Sequence, residues 1–476
     1  MHHVRILPLL ATLVLLASSA PAQQPARDSR KIVAEFCAGC HGLNLEGGSG
    51  PSLVDEVWIH GSDEASIGTA IRNGYPAAGM PPFGAAVSDK EIRGLVVYIR
   101  ELAGHAAERR TPPPLPAENA VASSKLHSYR VETAVAGLRE PWALAFLPDG
   151  RLLITEKRGT LRVADKGVLV EQPVNGVPAV DTGGQAGLFD VVLHPDYARN
   201  GWIYLAFSDP LKNAEGRTTA SMTTVVRGRL KDNAWTDQQV IFRAPPETFR
   251  PAGGVHFGGR LAFDRAGFLY FSIGERGQGP NAQDVKLPNG KIHRVYDDGR
   301  VPEDNPFVHT PGADPTIWSY GHRNPQGLRL NPATGELWEH EHGPRGGDEL
   351  NLIQRGRNYG WPEATFGMNY NGTPMTDVTG RPDVEPPVTY WIPSIAPCGM
   401  AFYTGDRFPK WKNHLFITSL AAQELRRLEI GKDGKVVDQE IIFKGLGRLR
   451  DVADGPDGNL YVLLPDRVAR LVPASN

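Results

Sequence analysis

The motif Cys37-Ala38-Gly39-Cys40-His41 sets two thiols with two residues between them and an imidazole directly after the second. That spacing lets both sulfurs add to haem vinyl groups while the histidine reaches the iron from one face, although a redox dithiol uses the same CxxC pair. Further on, Gly79-Met80-Pro81-Pro82-Phe83 offers a thioether in a proline-stiffened loop. A thioether opposite a histidine raises the haem potential and leaves no open coordination position, so such an iron suits electron transfer. A second group of polar residues is scattered through the rest of the chain. It comprises Gln185 in GGQAGLFD, His256 in GGVHFGGRL, Arg323 and Asn324 in GHRNPQGL, the strings HEHGPRGGDELN and NYGWP, and Arg448 and Arg450 in GRLRDV. Brought together, a histidine, several arginines and amides would bind an anionic or carbonyl-bearing ligand beside a general base. His340-Glu341-His342 also carries a zinc reading, since residues two apart on a strand share a face, but no third ligand is evident.

These residues need elements to position them. Ser88-Asp89-Lys90-Glu91 is a capping box ahead of Ile92, Leu95, Val96, Ile99 and Leu102 at helical spacing, which predicts an amphipathic helix closing a small all-α domain. Beyond it, turns rich in Pro, Asp, Asn and Gly precede LLITEK, WIYLAF, FLYFSI, ELWEHE, HLFITS and NLYVLL. About six such copies, roughly 45 to 75 residues apart, predict an all-β six-bladed propeller, whose loops on one face converge on the central channel. Between the two parts, Arg109-Arg110-Thr111-Pro112-Pro113-Pro114-Leu115-Pro116 reads as a stiff, solvated linker. The expected layout is a signal peptide at 1–22, the haem domain at 28–105, the linker at 106–125 and the propeller at 126–476.

The stretch from Asp28 to Gly104 resembles a small class I cytochrome c. The resemblance makes Met80 the second iron ligand opposite His41, and it places Pro51, in Gly50-Pro51-Ser52-Leu53, where a carbonyl accepts the axial histidine's other N–H. From Leu138 to Pro465, GHRNPQG, GGDELN and NYGWP make the chain similar to the soluble quinoprotein glucose and aldose dehydrogenases, which use pyrroloquinoline quinone (PQQ) and calcium. The resemblance implies that His256 is the base taking the proton of a sugar's anomeric hydroxyl. It implies that Gln185, Arg323, Asn324, Arg448 and Arg450 hold the quinone's carbonyl and carboxylate groups. It further implies that the carbonyls of Gly343 and Pro344 bind calcium beside the cofactor, and that Glu349 and Tyr359 belong to a separate structural calcium site. Two positions depart from the family: Ala421 stands where a lysine is often found, with Arg426 or Arg427 as substitutes, and Val255 replaces an acid beside the base.

The nearly balanced charge, net -2, excludes an electrostatic footprint for nucleic acid or an anionic membrane. Only three cysteines occur, so disulfides do not build this chain, and Cys398 is expected to be a small buried side chain. An N-terminal basic residue, an apolar run from Ile6 to Leu16 and Ala20-Pro21-Ala22 predict export to the periplasm or medium. No stretch after it is apolar for the roughly 18 residues of a membrane helix. The expected activity is therefore oxidation of an aldose to its lactone, with electrons leaving through covalent haem c to an external cytochrome, copper protein or quinone pool. A sorbosone-like substrate, a lactone-hydrolysing propeller with calcium alone, and a quinone-free binding module remain the alternatives.

Overall fold

The computed structural model describes residues 26–474, so the signal-peptide segment lies outside the described residues. The chain starts with α1 (Ser29–Ile32), a wider helical turn over Val33–Cys37, and α2 (Ala38–His41), which run head to tail. Asp28 caps the start by accepting the N–H of Arg30. After a loop come α3 (Glu64–Asn73), capped by Asp63, and α4 (Asp89–Arg110). Both halves of the capping box form at Ser88 and Glu91. Arg27 also donates to Glu91 at 2.8 Å, and that bond, against the cost of burial, holds the carboxyl down at about 2. Ile67, Ile71, Leu95, Val96 and Ile99 form the small core.

The helix does not stop near 105. It continues to Arg110, so the chain leaves it at Thr111, and Val121–Ser123 already pairs with the next strand. The connecting segment is thus narrower than the expected 106–125.

The remainder is six antiparallel sheets arranged as a propeller. Blades 1 to 5 start with innermost strands Pro141–Phe146, Leu188–Leu193, Leu261–Phe263, Pro325–Leu330 and Pro397–Phe402, each followed outward by its successors in chain order. Blade 6 is shared between the two ends of the domain. Asp451–Asp454, Leu460–Leu463 and Arg467–Pro473 supply its inner strands, and Ser128–Ala136 is added to the outside of Arg467–Pro473. Each innermost strand packs on that of the next blade, and the sixth returns to the first.

Every repeated string found in the sequence falls on the second strand of a blade. Leu152–Glu156, Leu269–Ile273, Leu337–Glu341 and Leu415–Ser419 are buried at every residue because neighbouring blades cover both of their faces. A strand covered on two sides reads as a continuous β-branched and apolar run rather than a strict alternation. Aromatic contacts between blades continue this packing, with Phe189 lying between Trp142 (5.4 Å) and Phe257 (5.5 Å). Arg260 sits fully buried among the inner strands, over the Trp142 ring at 4.1 Å and bridging Asp451 (3.1 Å) and Asp190 (3.6 Å). No described helix is long and apolar enough to cross a membrane.

Candidate active site and haem cleft

In the small domain, a cleft of about 650 Å³ is lined by Cys37, Cys40, His41, Met80, Leu95 and Ile99, among others. The His41 ring is buried, and its Nδ1 lies 2.7 Å from the Pro51 carbonyl. With Nδ1–H donating there, Nε2 is the nitrogen left to face the cleft. Gly50 makes this approach possible, since a Cβ at that position would sit 3.1 Å from the imidazole Cε1. Met80 is held by reciprocal backbone bonds with Tyr75 (2.8 and 3.2 Å), so its loop is fixed on the opposite wall. Burial pushes the Cys37 thiol up to about 11, opposite in sign to what activates the first thiol of a redox dithiol. An apolar cleft with two thiols, an imidazole and a thioether suits a covalent haem.

In the propeller, the loops entering the innermost strands and those leaving the second strands all open on one face. Gln185 precedes blade 2, His256 blade 3, Arg323 and Asn324 blade 4, and Arg448 and Arg450 blade 6, while Gly343 and Pro344 follow the second strand of blade 4. All of these positions therefore meet at one mouth.

His256 has a left-handed backbone, φ 55°, and its N–H donates to Gln185 Oε1 at 2.8 Å. Its Nδ1 bonds the carboxylate of Glu275, a residue the sequence reading did not single out. Glu275 leaves the second strand of blade 3, and its own N–H donates to the Arg323 carbonyl at 2.9 Å. Gly274 lets this happen: a Cβ there would stand 2.2 Å from the His256 carbonyl oxygen. Burial lowers the His256 pKa and the Glu275 bond partly restores it. The imidazole is thus neutral at neutral pH, with its proton on Nδ1 and Nε2 open as the acceptor.

Arg323 Nη1 donates to the carbonyls of His342 (3.0 Å) and Gly343 (2.7 Å), and its guanidinium stands over Trp361 at 5.1 Å. Asn324 is more committed than expected, with Oδ1 accepting from Gly258 N–H at 3.1 Å and Nδ2 near His342 Nδ1 at 3.4 Å. Arg448 is exposed and Arg450 half-buried, both in the loop before blade 6 and not on a strand. Among the described residues neither forms an ion pair with a carboxylate; Arg450 reaches Cys398 Sγ at 3.6 Å and stands 5.8 Å from the Trp142 ring. Cys398 is buried as expected, but it touches Arg260 as well as Arg450. Arg426 and Arg427 cannot substitute for the absent lysine at exposed Ala421. Arg426 is paired with Glu424 (2.7 Å), and Arg427 is buried against Asp438 and Glu440.

The turn bearing Gly343 and Pro344 is pinned by buried Asp348, another residue missed from sequence. Its carboxylate accepts from the N–H groups of Gly343 (2.8 Å), Ile395 (2.8 Å) and Ala396 (2.7 Å), and burial raises it to about 6. The Gly343 carbonyl already accepts from Arg323, and the Pro344 carbonyl accepts from Ser394 Oγ at 3.1 Å.

A second oxygen-rich cluster lies beneath the turn. Glu339 and Glu341 share one face of their strand with the paired Glu349 and Asn351, and His322 joins them. The donor atoms of His322, Glu339 and Glu341 fall within 4.8 Å of one another. Glu339 Oε1 and Asn351 Oδ1 are buried with no hydrogen-bond partner among the described residues. Burial, then repulsion from Glu341, pushes Glu339 and Glu349 well above the usual carboxylate range. Such a donor set fits a hard cation such as calcium. The hydroxyl of Tyr359 is spent on the Leu352 carbonyl (2.6 Å) and its ring stacks on His322 at 4.7 Å, which leaves a backbone carbonyl as what it can offer a metal. The zinc reading was on the other side of the strand. His340 lies on the strand face opposite Glu339 and Glu341, fully buried.

Residues 138–473 match the glucose/sorbosone dehydrogenase family. The chain belongs to that family. Its N-terminal residues 24–99 match the family described as cytochrome c oxidase, cbb3-type, subunit III, so this is a sugar-dehydrogenase propeller fused to a cytochrome c domain. The aldose sugar dehydrogenase YliI of Escherichia coli is 44% identical over 350 residues, covering 72% of this chain and 92% of that protein. The structure of the PQQ-bound aldose sugar dehydrogenase of Streptomyces coelicolor is 28% identical with a TM-score of 0.58, over 74% of this chain and 99% of that one. At the N-terminus, the cbb3-type oxidase subunit FixP of a Bradyrhizobium strain is 36% identical over 100 residues, which is 20% of this chain and 34% of FixP. The glucose/sorbosone dehydrogenase homologues thus account for the propeller and its open mouth, and the oxidase subunits for the haem cleft.

Proposed function

We propose that this sugar dehydrogenase is exported and oxidises an aldose at its anomeric hydroxyl to the lactone. PQQ lies in the propeller mouth, calcium supports it, and haem c is the electron exit to an external acceptor. The observation that carries this reading is the mouth itself, where a neutral imidazole fixed by a buried carboxylate faces Arg323, Arg448 and Arg450, none of which forms an ion pair with a carboxylate among the described residues. A ligand with several carboxylates is what unpaired guanidinium groups bind best. The PQQ-bound relative supports the same choice.

The chain's own residues have definite tasks. His256 Nε2 takes the proton of the anomeric hydroxyl, and Glu275, 2% exposed, stabilises the imidazolium that forms. Arg323, Arg448, Arg450 and Gln185 orient the cofactor's acidic and carbonyl groups. Bound PQQ supplies the two-electron hydride acceptor, and calcium the Lewis acid beside it. The carboxylates of Glu339, Glu341 and Glu349 with the Tyr359 carbonyl hold a structural calcium, while the carbonyls of Gly343 and Pro344 each keep a second lone pair for a calcium near the cofactor. In the haem domain, Cys37 and Cys40 would carry the haem, and His41 and Met80 would hold its iron. Val255, 38% exposed next to the base, faces the substrate side without the acid of the glucose enzymes, which fits a sugar other than glucose or a sorbosone-like aldehyde.

One observation favours a second reading: with Ala421 and the two neighbouring arginines unavailable, the mouth has one cationic anchor fewer, as a quinone-free binding module would. Titration of the haem-loaded chain with PQQ and calcium, followed by sugar and an artificial dye, separates the two. Stoichiometric uptake and sugar-dependent dye reduction are expected; absence of both would leave the binding-module reading.

A further inference from the structure

The haem domain is not only tethered to the propeller; it is seated on it. One side of α4 carries Leu95 and Ile99 into the haem cleft. Its other side faces the propeller loops around 345, 366–374 and 390–394. Glu101 bonds Arg345 through both oxygens (3.0 and 3.2 Å to Nε), and the guanidinium lies 5.9 Å from the Tyr98 ring. Both charged groups are largely covered, at 24% and 17% exposure. Arg93 donates to the Phe366 carbonyl at 2.6 Å, and Met368, fully buried, belongs to the same apolar core as Val97 and Tyr98. Gly94 and Gly104 sit in the middle of this helix, where glycine is costly. Gly104 is needed for the close approach, since a Cβ there would stand 2.6 Å from Pro393 Cδ; one at Gly94 would meet Ser29 Oγ at 2.9 Å first and Pro374 Cβ at 3.3 Å.

Residues 94, 97, 98, 101 and 104 lie along one helical face, so the contact is built into the sequence of α4. What they grip includes the turn that follows the second strand of blade 4. Arg345 follows Gly343 and Pro344 directly, and Gly343's carbonyl bonds Arg323. Its backbone is also paired with that of Met368 (2.9 and 3.0 Å). Between the haem cleft and this turn there is one helix, about 10 Å across.

We propose that the Gly343-Pro344-Arg345 turn is the electron exit of the propeller, and that Arg345, through Glu101 and Tyr98, seats the haem domain permanently over it. The proposal rests on the quinone reading above. In balance, each aldose yields lactone, two protons and two electrons. The electrons cross the turn and α4 singly, each reducing ferric haem to ferrous, and an external one-electron oxidant such as ferricyanide takes them one after the other. The protons go to solvent, the first by way of His256.

The test is Glu101→Lys in the full chain loaded with haem, PQQ and calcium, with the double exchange Glu101→Lys/Arg345→Glu as its control. Stopped-flow reduction of the haem by sugar is expected to slow at least about tenfold in the single variant and to recover in the double one. Dye reduction taken directly from the propeller should be unchanged in Glu101→Lys. In haem-loaded chain without PQQ, amide hydrogen exchange at 366–374 should rise in the single variant and fall again in the double. Haem reduction within about twofold of the unaltered chain, or unchanged exchange at 366–374, would overturn the seat. If the unaltered chain reduces neither dye nor haem, the quinone reading falls and the exit role with it, whereas dye reduction without haem reduction in the unaltered chain overturns the exit alone.

Discussion

The haem cleft and the propeller mouth are assembled in opposite ways. The cleft's ligand-bearing residues, Cys37 to Met80, come from one short stretch and are set by local loops: the Pro51 carbonyl on His41, the Tyr75 bridge on Met80. The mouth draws on residues from Gln185 to Arg450, on loops of blades 2, 3, 4 and 6, held by bonds such as Gln185 to His256 and Glu275 to Arg323 that join neighbouring blades. A site of the first kind survives wherever its segment folds. One of the second kind exists only when the whole ring has closed.

The comparison can be broken one site at a time. Replacing His256 by Ala is expected to lower dye-linked sugar turnover by about a thousandfold or more while leaving the haem spectrum unaltered, measured by steady-state kinetics and visible absorption on the same sample. Glu275→Gln should cost on the order of a hundredfold. It should also move the pH profile in a defined direction. Burial puts the His256 pKa below 6.5, so the base is lost only as pH falls below that value; Glu275 raises this pKa, and its removal moves the acid limb of kcat/KM lower still. A limb that shifts upward would contradict the pairing. Met80→Ala is the converse experiment, expected to lower the haem potential in a spectroelectrochemical titration without any change in dye-linked turnover. The smallest effect concerns the carboxylate cluster under the mouth: calcium at about a hundredfold excess over its Kd should raise the Tm of the apo chain by a few degrees, and Glu339→Gln should weaken that response.

How much was legible from sequence follows the same division. The CxxCH motif, the Pro51 and Met80 loops and the capping box of α4 are short-range signals, and each has its counterpart in the structure. The six turn-plus-strand repeats marked the second strand of every blade, because burial on both faces leaves a strong, continuous apolar signature. Glu349 was reached by resemblance and Glu341 only through the zinc reading, whereas Glu275, Asp348 and Glu339 were not singled out. Their importance comes from what faces them across blades, and a lone acid in a strand or loop looks like a solvated one. The expected linker from 106 gives way to helix as far as Arg110, and the bare backbone of Gly104 is what lets that helix pass Pro393.

The sixth blade, finally, has a consequence in time. Its outer strand, Ser128–Ala136, is among the first parts of the propeller to be synthesised, and its partner Arg467–Pro473 the last. Chains fold from the N-terminus as they emerge, so the helices of the small domain can form while the ring still waits for its final strand, and Met368 joins their core only afterwards. The start of the small domain's fold is thereby placed ahead of the ring on which it rests.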